Sequence, residues 1–380
     1  MTATPQRVAA PRGLSHVDVA SAVRGVLRNY ATQQAHAAGR YGPDFRHLWN
    51  VAAQTMLGGK FIRPVLLVEV ATAFQRAGSG RIAVDEDTVM SAAAAVELLH
   101  YSFVLHDDVI DGDVVRRGRP NLIGTVAAQH PTQLAPSRLV SQGDHGATAL
   151  HWGTSSAILM GDLLLSGVYQ SFARLDAPTA MRQRLFDLLG HTIDETVAGE
   201  FADVGLGDGC LAPELGAILE MSANKTATYT FEFPLRMAAI LCGAGGDVEE
   251  RLAIAGRHLG LAFQLQDDLL SVFGDPSRHG KDANSDLREG KQTALIAYAR
   301  MTGAWKHIEP LLGRSNLSAA DADQIRMRLA ACGARAYVEG LIDDSLAAFH
   351  RAVLDRDVDI PAEVRAVLVE TAERLGRRES

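Results

Sequence analysis

Apolar residues recur at three- and four-residue spacing along almost the whole chain, which is the repeat of a helix that buries one face. The clearest case is the stretch 91–111, where Val96, Leu99 and Phe103 follow this spacing. Alternating, strand-like patterns are scarce, and no repeat of about twenty to fifty residues indicates a solenoid. The sequence therefore predicts an all-α fold.

The chain has 380 residues, and its helical pattern is continuous enough to predict a single domain over residues 15–380. Residues 1–14 are rich in proline and poor in large apolar groups, so we expect a mobile lead-in. Residues 128–152 combine two prolines and two glycines with many polar residues. We interpret them as a long loop, either a functional lid or an insertion, and favour the insertion.

Composition limits the classes of function. Apolar residues make up 47% of the chain and charged residues 22%, as in soluble globular proteins. The net charge of −8 gives no reason to expect a nucleic-acid partner. Three scattered cysteines, no signal peptide and no run of about eighteen apolar residues predict a cytoplasmic protein without a transmembrane segment.

Two clusters of aspartates are the most informative motifs. Asp107, Asp108 and Asp111 form the first cluster, with Asp107 and Asp111 four residues apart and hence on one helix face. Asp267 and Asp268 form the second, but Ser271 stands where the first cluster has its third acid. Grouped carboxylates suit a hard divalent cation such as Mg²⁺, which shares its coordination with substrate phosphates. We expect the first cluster to hold more metal.

Either cluster alone could be a solvated acidic end of a helix, and the residues before the acids distinguish the two interpretations. Phe103 precedes Asp107 by four residues, and Phe263 precedes Asp267 by four. Each acidic pair therefore ends an apolar stripe. Two such helices facing each other would form a pocket with a charged mouth and an apolar interior, which suits a diphosphate with a hydrocarbon tail.

Several basic residues could bind such a diphosphate, although each alone could be an ordinary surface charge. Lys60 and Arg63 follow two glycines that allow close backbone approach. Arg116 and Arg117 follow the first acidic cluster, and guanidinium groups bind phosphate oxygens bidentately. Further candidates are Lys225 with Thr226, Lys281 and Lys291.

Six motifs between about residues 55 and 295 together resemble the trans-isoprenyl diphosphate synthases, in the order of that family. They are GGKFIRP, DDVID followed by RRGRP, GDLLL, KT, FQLQDD and GKDANSDLREGK. The resemblance implies a single-domain all-α fold with a central cavity between the two aspartate-bearing helices, and a homodimer. It also implies that Ser271 departs from the usual aspartate of the second cluster.

The resemblance also implies roles for individual residues. It implies that isopentenyl diphosphate is bound by Lys60, Arg63, His100 and Arg117. It implies that three Mg²⁺ ions are held by Asp107, Asp111 and Asp267, with Asp108 and Asp268 in support. It implies that the allylic diphosphate is bound by Arg116, Lys225, Thr226, Gln264, Lys281 and Lys291.

The implied reaction joins dimethylallyl, geranyl or farnesyl diphosphate to isopentenyl diphosphate. Mg²⁺ and the cationic side chains stabilise the departing diphosphate. The allylic cation is then attacked by the double bond of isopentenyl diphosphate, and a proton is lost, with the leaving diphosphate as the expected base.

Product length should depend on Phe103 and Ser102, four and five residues before Asp107. They lie about 6 and 7.5 Å along the helix at 1.5 Å per residue. Phe103 would be a partial floor, and the small Ser102 beside it would leave room. We therefore favour geranylgeranyl over farnesyl diphosphate, with longer products still open.

Two rival interpretations remain. A class I terpene cyclase is suggested by Asn224, Thr228 and Glu232 at four-residue spacing, although Lys225 stands where that motif expects an acid. A cyclase would also have no use for a second diphosphate clamp. The other rival is a non-catalytic helical subunit of a heteromeric prenyl synthase, which degenerate acidic clusters would favour.

Overall fold

Helices form nearly all of the regular structure in the computed structural model, which describes residues 16–78, 84–130, 145–274, 284–355 and 357–376. The helices of the first half are α1 (His16–Ala38), α2 (Pro43–Met56), α3 (Ile62–Ala77), α4 (Glu86–Ile110), α5 (Leu122–Ala128), α6 (His145–Ala173) and α7 (Thr179–Gly207). Those of the second half are α8 (Leu215–Ser222), α9 (Phe233–Leu241), α10 (Gly246–Phe273), α11 (Ser285–Glu289), α12 (Ala294–Arg300), α13 (Trp305–Ile308), α14 (Ala319–Ala331), α15 (Ala334–Leu354) and α16 (Ala362–Gly376). The all-α prediction is confirmed.

Helix α4 carries the first acidic cluster and lies in the middle of the larger hydrophobic core. Its first turn is capped by Asp85, whose side chain accepts a hydrogen bond of 2.8 Å from the backbone N–H of Thr88. It packs against α1, α3 and α6, and Leu98, Leu99 and Leu105 are fully buried. The acids at its C-terminal end are thus anchored by an apolar helix.

Helix α10 carries the second acidic cluster and connects two hydrophobic cores. Its Leu252 and Leu259 belong to the core around α4, whereas Leu265 and Val272 pack with α12, α14 and α15. This arrangement places Asp267 and Asp268 where the two cores meet.

A π-helical segment, Ala223–Glu232, joins α8 to α9. Glycines on its neighbours allow it to pack closely. A Cβ atom on Gly199 of α7 would lie 2.2 Å from the backbone nitrogen of Lys225, and one on Gly260 of α10 would lie 2.5 Å from Cα of Ala227. Segments of π-helix are rare and are often found at functional sites.

The strands of the described chain are two short ones, β1 (Val115–Arg116) and β2 (Arg119–Pro120), paired as an antiparallel hairpin. Its two-residue turn has Arg117 at φ 55° and Gly118 at φ 71°. Both values are left-handed, as in the type I′ turns that suit hairpins. The turn directs the neighbouring Arg116 and Arg117 to different partners.

The predicted loop at 128–152 needs a correction at its end. Helix α5 ends at Ala128, as expected, but α6 already begins at His145, so residues 145–152 are helical. Gly143, Gly146 and the polar composition favoured a loop, whereas Ala147, Ala149 and Leu150 are good helix formers that extend α6. Residues 131–144 and the expected lead-in at 1–14 lie outside the described residues.

Among the described residues, α4 is long and apolar enough to cross a membrane by length and composition. However, 72% of its most apolar window is buried inside the protein. This burial is typical of a core helix, and it agrees with the position of α4 between α1, α3 and α6.

Candidate active site

The first acidic cluster is held by Arg116 of the hairpin. Its Nε donates a hydrogen bond of 2.8 Å to Oδ1 of Asp108, and its Nη2 donates one of 3.0 Å to Oδ2 of Asp107. Asp108 is only 1% exposed, and burial raises the pKa of its carboxyl although Arg116 opposes the shift. Arg116 therefore fixes these two carboxylates at the end of α4.

Lys225 of the π-helical segment lies among three carboxylates. Its Nζ is 2.6 Å from Oδ2 of Asp203, 2.8 Å from Oε2 of Glu200 and 3.4 Å from Oδ1 of Asp107. Burial lowers the pKa of Lys225, but Asp203, Asp107 and Glu200 outweigh burial and raise it above its ordinary value. Lys225 is therefore a fixed positive charge beside the first cluster.

Glu200 and Asp203 of α7 were not among the predicted site residues. The available signal was local, because the two acids are three residues apart and so share one face of a helix. Nothing in the sequence indicated that this face would meet Lys225.

The second acidic cluster differs from the first in its partners. Gln264 donates a hydrogen bond of 2.8 Å from Nε2 to Oδ1 of Asp268. Burial raises the pKa of Asp268 to about 8, the Gln264 hydrogen bond opposes this shift, and the nearby Asp286 and Asp267 add to it. Without a metal ion, the surroundings of Asp268 therefore favour its protonated form.

A cleft with a cavity of about 130 Å³ is lined by the second acidic cluster and by most of the residues predicted to bind the allylic diphosphate. Its lining includes Lys225, Thr226, Gln264, Asp267, Asp268, Ser271 and Lys291. Lys291 reaches Glu289 at 3.3 Å and Asp286 at 3.8 Å. The predicted Lys281 lies outside the described residues.

The two acidic clusters belong to one site. Lys225 contacts Asp107 of the first cluster and lines the same cleft as Asp267 of the second. Burial and the charge of Asp107 raise the pKa of Asp111 to about 6, and Lys291 and Lys225 oppose this shift. Lys225 and Lys291, which line the cleft of the second cluster, therefore also act on an acid of the first.

A second group of cations lies around the Gly58–Gly59 turn between α2 and α3. Arg117 donates a hydrogen bond of 2.7 Å from Nη1 to the carbonyl oxygen of Gly58. Lys60 follows this turn directly, and Arg63 is in the first turn of α3. Arg117 therefore lies with Lys60 and Arg63, whereas Arg116 lies with the aspartates.

Tyr229 of the π-helical segment contacts side chains of this group, and no pattern in the sequence had predicted it at the site. The guanidinium of Arg63 lies 4.4 Å from the centre of the Tyr229 ring, and its Nη2 donates a 2.8 Å hydrogen bond to Oγ1 of Thr230. The ring of His100 stacks on Tyr229 at 5.8 Å. Burial, then Arg63, Arg116 and Arg117, hold the pKa of His100 well below its usual range, so it is neutral.

The two residues predicted to control product length have different surroundings. Phe103 is partly buried and meets Tyr229 edge to face, with ring centres 5.3 Å apart. Ser102 is fully buried and donates a hydrogen bond of 2.9 Å to the carbonyl oxygen of Gly161 in α6. The space expected beside Ser102 is therefore occupied by the backbone of α6.

The residues that suggested a terpene cyclase bind other side chains. Asn224 accepts a hydrogen bond of 2.7 Å from Nη2 of Arg257, and Thr228 donates one of 2.7 Å to Glu195. Glu232 is paired with Arg257 at 3.4 Å, and with Arg236 as well. These contacts occupy the oxygens that a second metal motif would need, which disfavours the cyclase interpretation.

No group of three or more histidine, cysteine, aspartate or glutamate side chains in the described part of the chain is arranged to hold a metal ion by itself. Mg²⁺ commonly takes only one or two protein carboxylates and completes its coordination with water and substrate phosphates. The oxygen-only donor set of Asp107, Asp111 and Asp267 fits that behaviour.

Residues 46–328 match the polyprenyl synthetase family. The chain belongs to this family. It is 28% identical over 327 residues to geranylgeranyl diphosphate synthase of Methanosarcina mazei, covering 86% of this chain and 85% of that protein. It is 29% identical over 321 residues to geranylfarnesyl diphosphate synthase of Aeropyrum pernix, covering 84% of this chain and 87% of that protein.

The solved structures give the same result for this polyprenyl synthetase. The structure of geranylgeranyl pyrophosphate synthase of Corynebacterium glutamicum, complexed with isoprenyl diphosphate and magnesium, superposes with a TM-score of 0.85 at 30% identity. The match covers 96% of this chain and all of the other. The resemblance inferred from the six motifs is confirmed, and so is the prediction of an enzyme.

Proposed function

We propose that this polyprenyl synthetase condenses an allylic diphosphate with isopentenyl diphosphate, head to tail and in trans, to give a short-chain prenyl diphosphate. The observation that carries the proposal is the divergence of two neighbouring arginines. Arg116 binds the aspartates at the end of α4, whereas Arg117 binds the Gly58–Gly59 turn beside Lys60 and Arg63. Two separate cationic groups support two separate diphosphate sites, which a cyclase would not need.

The aspartate side of the site would bind the allylic diphosphate. Its cations are Arg116, Lys225 and Lys291, and Thr226 and Gln264 add neutral polar groups in the same cleft. About three Mg²⁺ ions would be held by Asp107, Asp111 and Asp267. When bound, Mg²⁺ would neutralise negative charge on the departing diphosphate. The magnesium complex of the Corynebacterium glutamicum relative supports this part of the proposal.

The clamp side of the site would bind isopentenyl diphosphate through Lys60, Arg63, His100 and Arg117. Arg63 is held in place by Tyr229 and Thr230, so little side-chain entropy is lost when it binds a phosphate. Neutral His100 would donate a hydrogen bond rather than a full charge. The apolar residues of α4 would exclude water from the reacting carbons.

The product is proposed to be geranylgeranyl diphosphate, with farnesyl diphosphate next and geranylfarnesyl diphosphate as the longer alternative. The likeness to the geranylgeranyl synthases of Methanosarcina mazei and Corynebacterium glutamicum supports this order, and a residue at the floor of the cavity is proposed to set the length. Phe103 is the proposed floor, supported from the side by Tyr229.

The substitution Phe103→Ala tests the floor. We expect the main product to lengthen by one isoprene unit or more, because removal of the ring opens space along α4. Products are identified by mass spectrometry after dephosphorylation. Phe186→Ala, at an aromatic cluster away from the acids, is the control. The same products from Phe103→Ala as from the native protein would exclude Phe103 as the floor.

A homodimer is proposed from apolar side chains exposed on α6 and α7. Phe201 is 75% exposed and Val197, four residues earlier, is 54% exposed, while Leu159 and Leu163 repeat at the same spacing on α6. Exposed apolar surface of this kind is typical of an interface. Light scattering of the native protein and of Phe201→Glu gives the test, with a dimer expected for the first and a monomer for the second.

The proposed function itself is tested with purified protein, Mg²⁺, isopentenyl diphosphate and, separately, dimethylallyl, geranyl or farnesyl diphosphate. Prenyl alcohols longer than the primer, after dephosphorylation, are the expected result. Cyclic hydrocarbons from the primer alone would instead indicate a cyclase. Absence of product with every primer would favour a subunit that needs a partner synthase.

A further inference from the structure

Glu97 is a buried acid that none of the proposed steps uses. It lies on α4 with only 3% of its surface exposed, directly below the Gly58–Gly59 turn. A Cβ atom on Gly59 would be 3.0 Å from its Oε1 atom, so the glycine allows the backbone to pass close to the carboxyl. Its Oε2 atom has no hydrogen-bond partner among the described residues. A buried oxygen without a hydrogen-bond partner lowers the stability of the folded protein, so a functional role for Glu97 is worth testing.

The charges around Glu97 are those of the isopentenyl diphosphate clamp. Arg63 from α3 and Arg117 from the hairpin both act on its carboxyl. Arg63 donates a hydrogen bond to Thr230, and Arg117 donates one to the carbonyl oxygen of Gly58. Burial nevertheless raises the pKa of Glu97 to about 7, against the opposing effect of the two arginines.

Other titratable groups also lie near this position. His100, three residues later on α4, is neutral because its pKa is held well below the usual range by burial and by the same arginines. Lys60 adjoins the glycine turn, and Arg24 of α1 lies 4.7 Å from the Phe61 ring and bonds the carbonyl of Leu57. Glu97 is therefore the acid that faces the clamp from α4.

We propose that Glu97 is a positioning residue of the clamp whose carboxyl takes up a proton when a diphosphate binds to Arg63 and Arg117. Above pH 7, ionised Glu97 balances the two arginines while the clamp is empty. A bound diphosphate brings several negative charges to the same arginines and repels an ionised carboxylate. Protonation of Glu97 removes this repulsion, so binding and proton uptake are coupled. The inference rests on the proposed function, because it takes isopentenyl diphosphate as the ligand.

The coupling fixes the sign of the pH dependence. Below pH 7 Glu97 is already protonated, and the affinity for isopentenyl diphosphate is at its highest as far as this group is concerned. Above pH 7 each binding event must bring a proton, so the affinity falls as the pH rises until the pKa of the complex is passed. A shift of one pKa unit on binding corresponds to a tenfold loss of affinity across this range.

The experiment compares the full-length native protein with Glu97→Gln, which keeps the shape of the side chain and removes its charge. The dissociation constant of isopentenyl diphosphate is measured by calorimetry from pH 6 to 9, in two buffers of different ionisation enthalpy. We expect the native protein to take up more protons than the variant at pH 8. We also expect Glu97→Gln to bind as well as the native protein at pH 6 and about three- to tenfold more tightly at pH 8.5. Ionisation of the ligand is the same in both proteins and cancels in the comparison.

Further measurements separate this role from a purely structural one. If Glu97 had only a structural role, the Glu97→Gln variant would bind isopentenyl diphosphate more weakly than the native protein at every pH. That result would overturn the proposal. Equal proton uptake in the two proteins would overturn it as well. The exposed Glu339→Gln is the control and should leave the pH profile unchanged. If Glu97→Gln does not fold, the native protein alone is measured. Its proton uptake on binding, corrected for ionisation of the ligand, should increase between pH 6 and pH 8. No increase would overturn the proposal. Proton-coupled binding without any condensation would retain this inference while rejecting the proposed function.

Discussion

The two aspartate pairs of this protein have the same residues in the sequence and different electrostatic surroundings in the structure. Asp107 and Asp108 lie against the guanidinium of Arg116, and Lys225 adds a second positive charge. Asp268 instead accepts a hydrogen bond from the neutral Gln264 and has a pKa of about 8. The first pair is therefore contacted by protein cations, whereas burial shifts Asp268 of the second pair towards its protonated form.

The difference follows from what surrounds each helix end. Arg116 follows the first pair of acids in the sequence, and the hairpin after α4 turns it back to contact them. This turn requires a left-handed backbone at Arg117, which is unfavourable for a residue other than glycine. Helix α10 has no such hairpin within the described residues, and the two cores that meet there bury Asp268. A repeated motif therefore does not imply a repeated electrostatic environment.

The largest expected effect is on catalysis by the first pair. Asp107→Asn should lower kcat by roughly 100- to 1,000-fold, because it removes a metal ligand and the partner of both Arg116 and Lys225. Asp267→Asn should cost less, roughly tenfold to 100-fold, since the second cluster has fewer acids. Steady-state kinetics at saturating Mg²⁺ give both numbers. Asp87→Asn, at the exposed start of α4, is the control. Equal losses for the two variants would remove the proposed difference between the clusters.

Ser271 offers a way to make the second cluster resemble the first. Ser271→Asp adds a third acid in the same cleft as Asp267, and a unit charge at about 4 Å contributes about 1 kcal/mol even in water-like surroundings. We expect the Mg²⁺ concentration for half-maximal activity to fall about fivefold.

The matched control for this change is Ser271→Asn, which adds the same volume and an oxygen without the charge. It should leave the Mg²⁺ requirement close to that of the native protein. If the two variants behave alike, the missing charge at 271 is not what distinguishes the second cluster.

Much of the fold and of the site could be predicted because the signals are local. Leu99, Phe103 and Asp107 lie on one face of their helix whatever the tertiary arrangement is. The order of the basic residues along the chain is likewise independent of it. For the same reason both aspartate pairs were correctly placed on helices. The start of α6 was predicted eight residues too late, because glycines and polar residues obscured the helical pattern there.

The remaining features depend on contacts between distant segments. Glu200 and Asp203 become site residues only because α7 passes beside the π-helical segment. Tyr229 supports Arg63, His100 and Phe103 from the same segment, and a π-helical winding shifts every residue away from the faces that a regular helix would give. The raised pKa of Asp268 depends on burial between two hydrophobic cores, and the neighbouring sequence contains no pattern that would predict it.

A further effect concerns the stability of the metal-free protein, and it depends on the raised pKa of Asp268. The folded-state pKa of Asp268, about 8, lies above the value of 3.8 expected in the unfolded chain. The folded state therefore favours the protonated form. The contribution of Asp268 to stability is complete below about pH 4 and is lost as the pH rises through about 8. Asp111 and Glu97, whose pKa values are also raised, contribute in the same direction.

Asp268→Asn isolates this contribution, because its amide stays neutral at every pH. With chelator present, the native protein should lose free energy of unfolding between pH 5 and 8, and the variant should lose less by on the order of 2 kcal/mol. Urea unfolding followed by circular dichroism measures both. The exposed Asp194→Asn should retain the native pH dependence. A variant that loses as much stability as the native protein would show that Asp268 is ionised before metal binds, and the proposed contrast between the two clusters would then be wrong.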